Sequence, residues 1–201
     1  MKILIHILMD YDFIIQAFWI ILPAYIANAS ALLSGGGIPI DFGKKWRDGK
    51  RILGDGKTWR GLFIGTFVGM TVGFGFSAVS KFALNINFPI RLNDFLGFPL
   101  MIPVLFSICF GALIGDIIES FFKRRRGKKR GEHWIPFDQI DFILGVLFLS
   151  FIMGSILQIV NLTDSNWFFD SFSIYHIFIL LIVTPFIHLF ANFIHDKTKK
   201  V

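Results

Sequence analysis

Residues 98–123 run FPLMIPVLFSICFGALIGDIIESFFK, an unbroken apolar segment that ends in a cluster of charges. Positions 98–118 contain a single charged residue, Asp116, close to their end. Wound as a helix at ~1.5 Å per residue, a segment of this length crosses the roughly 30 Å hydrocarbon core of a bilayer. A soluble chain would have to bury it inside a protein core. With 201 residues, 54% of them apolar, 26 Phe and a mean hydropathy of +0.65, this chain holds more apolar surface than one soluble domain encloses. Its solvent is lipid.

Working outward, four further stretches have the same length and character: 13–33, 61–82, 140–160 and 174–194. Open strands would leave unpaired backbone groups in lipid at prohibitive cost, so the expected fold is an all-α integral membrane protein with five transmembrane helices. Residues 1–201 then form a single transmembrane domain, with long loops at 34–60 and 121–139. The segment before Asp12 is expected to stay in the mature protein. Asp10 and Asp12 interrupt it, and small residues suited to cleavage come only at 27–31. Cys109 is the single cysteine, which excludes an internal disulfide and a cysteine-held metal cluster.

The basic residues orient the bundle. Loop 34–60 carries Lys44, Lys45, Arg47, Lys50, Arg51, Lys57 and Arg60, and loop 121–139 carries Lys123, Arg124, Arg125, Arg126, Lys128, Lys129 and Arg130. With Lys197, Lys199 and Lys200 in the tail, these make seventeen of the 20 Lys and Arg, leaving Lys2, Lys81 and Arg91 on the other side. The positive-inside rule therefore places both loops and the C-terminus in the cytoplasm and the N-terminus outside.

Topology and attraction to anionic lipid account for most of these cations, but not for the acids among them. Asp116, Glu119, Ser120 and Lys123 stand at i, i+3, i+4 and i+7, one polar stripe on the inner end of the third helix. Asp138 and Asp141 open the fourth helix at the same depth. Ionisable groups at membrane level face a protein interior or a watery site, and helix capping by Asp138 would explain only one of the four. Four carboxylates ringed by Lys and Arg suit a hard, oxygen-seeking cation such as Mg²⁺ together with substrate phosphates. Phosphoryl or nucleotidyl transfer needs little more than this positioning and charge neutralisation.

The loop Gly54-Asp55-Gly56-Lys57-Thr58-Trp59-Arg60-Gly61 ends at a helix start, where free N–H groups favour anions. It ends like a P-loop, yet Arg51 stands where that pattern needs glycine, and no strand precedes it. As spacing alone, a flexible loop with a Lys-Thr helix start explains it equally well. Span two carries Gly61, Gly65, Gly69 and Gly73, a small-residue stripe for close packing either within one subunit or across a homodimer.

Gly115-Asp116, Glu119-Ser120, Lys123-Arg124, then Lys129 and the Asp138…Asp141 pair resemble in order and spacing the signature of the CDP-diacylglycerol synthase family. Where bacterial and eukaryotic members have a longer connection with His-Gly-Gly, this chain has Arg130 and then His133-Trp134-Ile135-Pro136-Phe137. These departures are similar to the archaeal branch, the CDP-archaeol synthases. Residues 23–29 (PAYIANA), 39–43 (PIDFG), 54–61 and 184–192 (TPFIHLFAN) resemble the same branch, so the likeness covers nearly the whole chain.

The resemblance implies an enzyme that moves a cytidylyl group from CTP to 2,3-bis-O-(geranylgeranyl)-sn-glycerol 1-phosphate with Mg²⁺, releasing pyrophosphate. Its expected partners are CTP, the isoprenoid ether-lipid phosphate and the bilayer, with no nucleic acid. Asp116, Asp138 and Asp141 are the expected metal ligands, with Glu119 as a fourth. Lys57, Lys123, Arg124 and Lys129 are the expected phosphate contacts, Thr58, Arg60 and Ser120 secondary ones. Asn28, His188 and Asn192 lie at the same depth, where they bind substrate or form interhelical hydrogen bonds. A CDP-alcohol phosphotransferase is the alternative enzyme, but its D-G-x-x-A-R pattern is missing and Asp138 and Asp141 are three apart, not four. A small ion channel or transporter is the non-enzymatic alternative, though no continuous polar path crosses the outer half of the spans.

Overall fold

A computed structural model describes residues 12–128, 132, 134 and 137–198, with backbone alone at 137 and 187–198. The expected retention of the N-terminal segment lies outside the described residues, apart from its end at Asp12. The elements are α1 (Asp12–Leu33), α2 (Trp59–Asn85), α3 (Met101–Arg125), α4 (Phe137–Ile159), α5 (Trp167–Ser171) and α6 (Ile174–Thr198). Among the described residues there is no sheet, only the isolated bridges Pro39↔Thr58 and Lys45↔Arg51.

Helices α1 to α4 have the length and apolarity of membrane spans, and the described apolar part of α6, Ile174–Phe186, is shorter. Among the described residues, four helices rather than five therefore meet the criterion of a crossing. Phe63, Phe67, Phe82, Phe148, Phe178 and Phe186 are exposed on the helices, a surface that water would penalise and lipid accepts.

Helices α2 and α3 depart from the apolar limits for local reasons. Helix α2 starts two residues before the apolar stretch because the Thr58 hydroxyl caps it, accepting the Gly61 N–H at 3.1 Å. Helix α3 starts at Met101, after Pro99, and continues seven residues past Ile118 to Arg125. Its last turn holds Lys123, Arg124 and Arg125, cations that favour the negative end of the helix. The short α5 gave no periodic signal; the Asn166 side chain starts it by accepting the Phe168 N–H at 3.0 Å.

The glycine stripe of α2 is used within the chain. A Cβ at Gly65 would sit 2.6 Å from the Ala27 carbonyl, and one at Gly69 2.7 Å from the Pro23 carbonyl and 2.8 Å from Cys109 Sγ. The stripe thus brings the backbone of α2 against α1, with α3 alongside. Around this contact lie Ala17, Ile20, Ile21, Ala24 and Ala27 of α1, Val104, Leu105, Ile108 and Ala112 of α3, and Phe142, Ile143 and Val146 of α4, all buried. At the end away from the basic loops, the segment after α2 is tied down by polar side chains. Trp19 Nε1 donates to the Asn93 carbonyl at 2.8 Å, and Ser80 Oγ to that of Leu92 at 2.6 Å.

Candidate active site

The polar stripe predicted for α3 forms, and α4 meets it. Asp116 and Glu119 of α3 and Asp141 of α4 each offer a carboxylate oxygen, all three within 4.8 Å of one another. Backbone contact between the two helices makes this possible. A Cβ at Gly111 would lie 2.7 Å from the Gly145 carbonyl, and Cβ atoms at Gly115 and Gly145 would overlap the carbonyls of Asp141 and Gly111. Only glycines at these positions let the helix carrying Asp141 approach that carrying Asp116 so closely.

Two lysines neutralise the acids. Lys123 Nζ donates to both Asp138 carboxylate oxygens at 2.8 Å and lies 3.9 Å from Glu119 Oε1. Asp138 Oδ2 also accepts the Trp134 N–H at 2.8 Å. Lys57 forms an ion pair with Asp116. Asp138, expected among the metal ligands, pairs with Lys123, while Asp116, Glu119 and Asp141 converge on one another. Glu119 is buried, and its Oε1 has no hydrogen-bond partner among the described residues. A buried carboxylate oxygen is costly to leave so.

The loop between α1 and α2 brings Lys57 to this place. It folds around Asp41, whose buried carboxylate accepts Arg51 Nη2 at 2.8 Å, Arg51 Nε at 3.2 Å and the N–H groups of Leu53, Gly54 and Gly43 at 2.9, 3.0 and 3.1 Å. Burial alone would raise the carboxyl's pKa. The Arg51 guanidinium and the three backbone donors outweigh it and hold Asp41 well below the usual carboxylate range. The last turn of α3 clamps this loop. Arg124 Nε donates to the Leu53 carbonyl at 3.1 Å, Lys50 Nζ to that of Arg125 at 2.9 Å, and Arg125 pairs with Asp48.

Beneath the loop lies a cleft of about 480 Å³. Lys57, Asp116, Asn28 and Tyr25 line it with polar groups, and Leu32, Leu62, Leu113 and Ile117 with apolar ones. The Tyr25 hydroxyl also meets Thr184 Oγ1 of α6 at 2.7 Å, connecting the cleft to the last helix.

The expected site residues thus take different places. Asn28, Lys57, Thr58 and Asp116 border the cleft, and Glu119, Lys123, Asp138 and Asp141 cluster beside it. Thr58 caps α2, Ser120 is buried on α3, Arg60 is exposed, and Arg124 holds the carbonyls of Leu53 and Lys128. Lys129 lies outside the described residues, as do the side chains of His188 and Asn192, whose backbone is part of α6. Residue patterns gave no sign of the roles of Asp41, Tyr25 and Arg125. For Asp41 a signal existed in the 39–43 motif, but a carboxylate bound mostly to backbone N–H groups has no partner pattern to detect.

Paired carboxylates and lysines at one end of a lipid-facing helical bundle belong to a membrane-embedded enzyme acting on charged substrates. Comparison with known proteins narrows that class. The CarS-like family of CDP-archaeol synthases matches residues 10–199. The CDP-archaeol synthase of Pyrococcus abyssi is 41% identical over 179 residues, covering 89% of this chain and 90% of the relative. That of Thermococcus onnurineus is 40% identical over 189 residues, covering 94% and 95%. A solved intramembrane enzyme for archaeal membrane lipid biosynthesis shares 32% identity and a TM-score of 0.66, covering 88% of this chain and 92% of its own. The chain belongs to the CDP-archaeol synthase family.

Proposed function

We propose that this chain transfers CMP from CTP to 2,3-bis-O-(geranylgeranyl)-sn-glycerol 1-phosphate, giving CDP-archaeol and pyrophosphate at the cytoplasmic face of the membrane. Family membership supports the reaction, and the observation that carries the chemistry is the convergence of Asp116, Glu119 and Asp141 within 4.8 Å, flanked by Lys57 and Lys123. The 25-residue α6 is the fifth crossing, completed by residues 187–198, and the basic loops face the cytoplasm, where CTP is available.

The donor set fits Mg²⁺: all ligands are oxygens, and Glu119 Oε1, which accepts no hydrogen bond among the described residues, is an atom that a hard cation satisfies. Asp116, Glu119 and Asp141 would hold the ion. When bound, Mg²⁺ supplies charge neutralisation for the phosphate oxygens of the nucleotide.

The lipid phosphate is already an anionic nucleophile, so no side chain has to deprotonate it. One of its oxygens forms the new bond to the α-phosphorus of CTP, and the bond from that phosphorus to the α,β-bridging oxygen breaks. Pyrophosphate leaves with the electron pair. The obstacle is repulsion between two polyanions, which Lys57 and Lys123 offset. Their acidic partners hold these lysines in place before nucleotide arrives, so little reorganisation accompanies binding. Asp138 keeps Lys123 directed at the site. Thr58 and Arg124 hold the loop that carries Lys57, Asn28 lines the cleft, and Arg60, Ser120, Lys129, His188 and Asn192 are candidate substrate contacts in this reading.

Pyrophosphate release by the purified protein tests this reading. It should require CTP, Mg²⁺ and the ether-lipid phosphate together; release at an equal rate without the lipid would contradict it.

A further inference from the structure

We propose that Asp41, which does not line the cleft, is a positioning residue that sets where Lys57 stands. The proposal rests on the reading of Lys57 as a phosphate contact. Asp41 stands in the turn just after Pro39, and the residues before it pair with the stretch containing Lys57. The Ile40 N–H donates to the Lys57 carbonyl at 2.9 Å, the Trp59 N–H to the Ile38 carbonyl at 3.2 Å, and Pro39 bridges Thr58. One residue on, the Asp41 carboxylate fixes the Leu53 and Gly54 N–H groups.

The residues on both sides of the turn at Gly54-Asp55-Gly56 are therefore fastened to the same four-residue segment, Ile38 to Asp41. The Arg51 guanidinium extends the link, binding Asp41 through Nε and Nη2 and Asp55 in the turn through Nη1 at 2.8 Å. Arg124, at the end of α3, then ties Leu53 to the helix that carries Asp116, the ion-pair partner of Lys57. Without this frame, only its flexible side chain would hold Lys57 at the site.

A residue that merely stabilised the loop would affect Lys57-dependent and Lys57-independent catalysis alike. A positioning residue acts through Lys57, and a double-mutant cycle separates the two. The variants Asp41→Asn, Lys57→Gln and the double variant are prepared as full chains in detergent, with thermal melting to confirm folding. Asp41→Asn is expected to raise KM for CTP by about tenfold with kcat at saturation within about threefold, as expected for a displaced charge-assisted contact. Added to Lys57→Gln, it should cost no more than about twofold further.

Effects that multiply across the two positions would overturn the proposal while leaving the phosphate role of Lys57 intact. A silent Lys57→Gln would remove the reading of Lys57 and the proposal with it. If Asp41→Asn fails to fold, Arg51→Gln carries the same cycle, because it removes two of the five contacts and leaves the three backbone donors.

Discussion

Gly115 lies so close to the carbonyl oxygen of Asp141 that no Cβ fits between them, and this contact brings Asp116 and Asp141 to one place. Both atoms belong to helix backbone, so neither yields as a flexible side chain would. Gly115→Ala should therefore push α3 and α4 apart. It is expected to lower stability by ~1–3 kcal/mol, the usual cost of overpacking, and to raise the Mg²⁺ concentration needed for half-maximal activity. Gly75→Ala is the control, because a Cβ there meets nothing within 4 Å. Melting curves and Mg²⁺ titrations measure both. An unchanged Mg²⁺ requirement in a folded Gly115→Ala protein would show that the crossing does not set the acid geometry.

The acids should separate into two kinds. Asp116→Asn and Asp141→Asn should each lower turnover on the order of 10²-fold or more, the scale of losing one electrostatic contact at a transition state, and weaken Mn²⁺ binding measured by electron paramagnetic resonance. Asp138→Asn removes the nearer charge partner of Lys123 and leaves it the longer contact with Glu119. It should impair CTP use while retaining Mn²⁺ binding. Loss of Mn²⁺ binding in Asp138→Asn would return that residue to the ligand set.

The cations should separate as well. Lys57→Gln and Lys123→Gln should lower kcat/KM for CTP by about tenfold or more, because charge-assisted contacts in a partly desolvated site far exceed screened surface ones. Arg126→Gln and Lys128→Gln should cost less than about threefold, in keeping with surface charges. Orientation is verified for each by labelling a cysteine placed at the exposed Arg47, since the native Cys109 is buried. Equal losses at all four positions would favour a diffuse electrostatic funnel.

Much of this arrangement was legible in the sequence. Lipid allows few architectures, so apolar length predicted α1 to α4, and the i, i+3, i+4, i+7 spacing predicted which side chains of α3 share a face. Pairings across the chain were not legible. Nothing local assigns Asp138 to Lys123 or Lys57 to Asp116, because those contacts depend on how α3, α4 and the first loop come together. The glycine stripe showed close packing but not its partner, which the Ala27 and Pro23 carbonyls supply. Asp41 was visible only as part of a motif.

Acid should reveal Asp41 in the stability of the protein. Its folded carboxyl titrates below the unfolded value, so its stabilisation is complete above the ordinary Asp range near 3.9 and is lost as pH falls toward the depressed folded value. The melting-temperature difference between wild type and Asp41→Asn should hold steady from neutral pH down to that range and shrink below it. A gap that already closed between pH 7 and 5 would assign it to another group.

The most direct measurement of the central claim follows the α-phosphorus. Purified protein in vesicles receives CTP labelled at the α-phosphate, Mg²⁺ and the geranylgeranyl ether-lipid phosphate, and the lipid phase is extracted and resolved. Cytidylyl transfer predicts α-label in a CDP-lipid and, in a parallel reaction with γ-labelled CTP, label only in pyrophosphate. An unlabelled lipid phase from folded, metal-binding protein, or γ-label in the lipid, would contradict it.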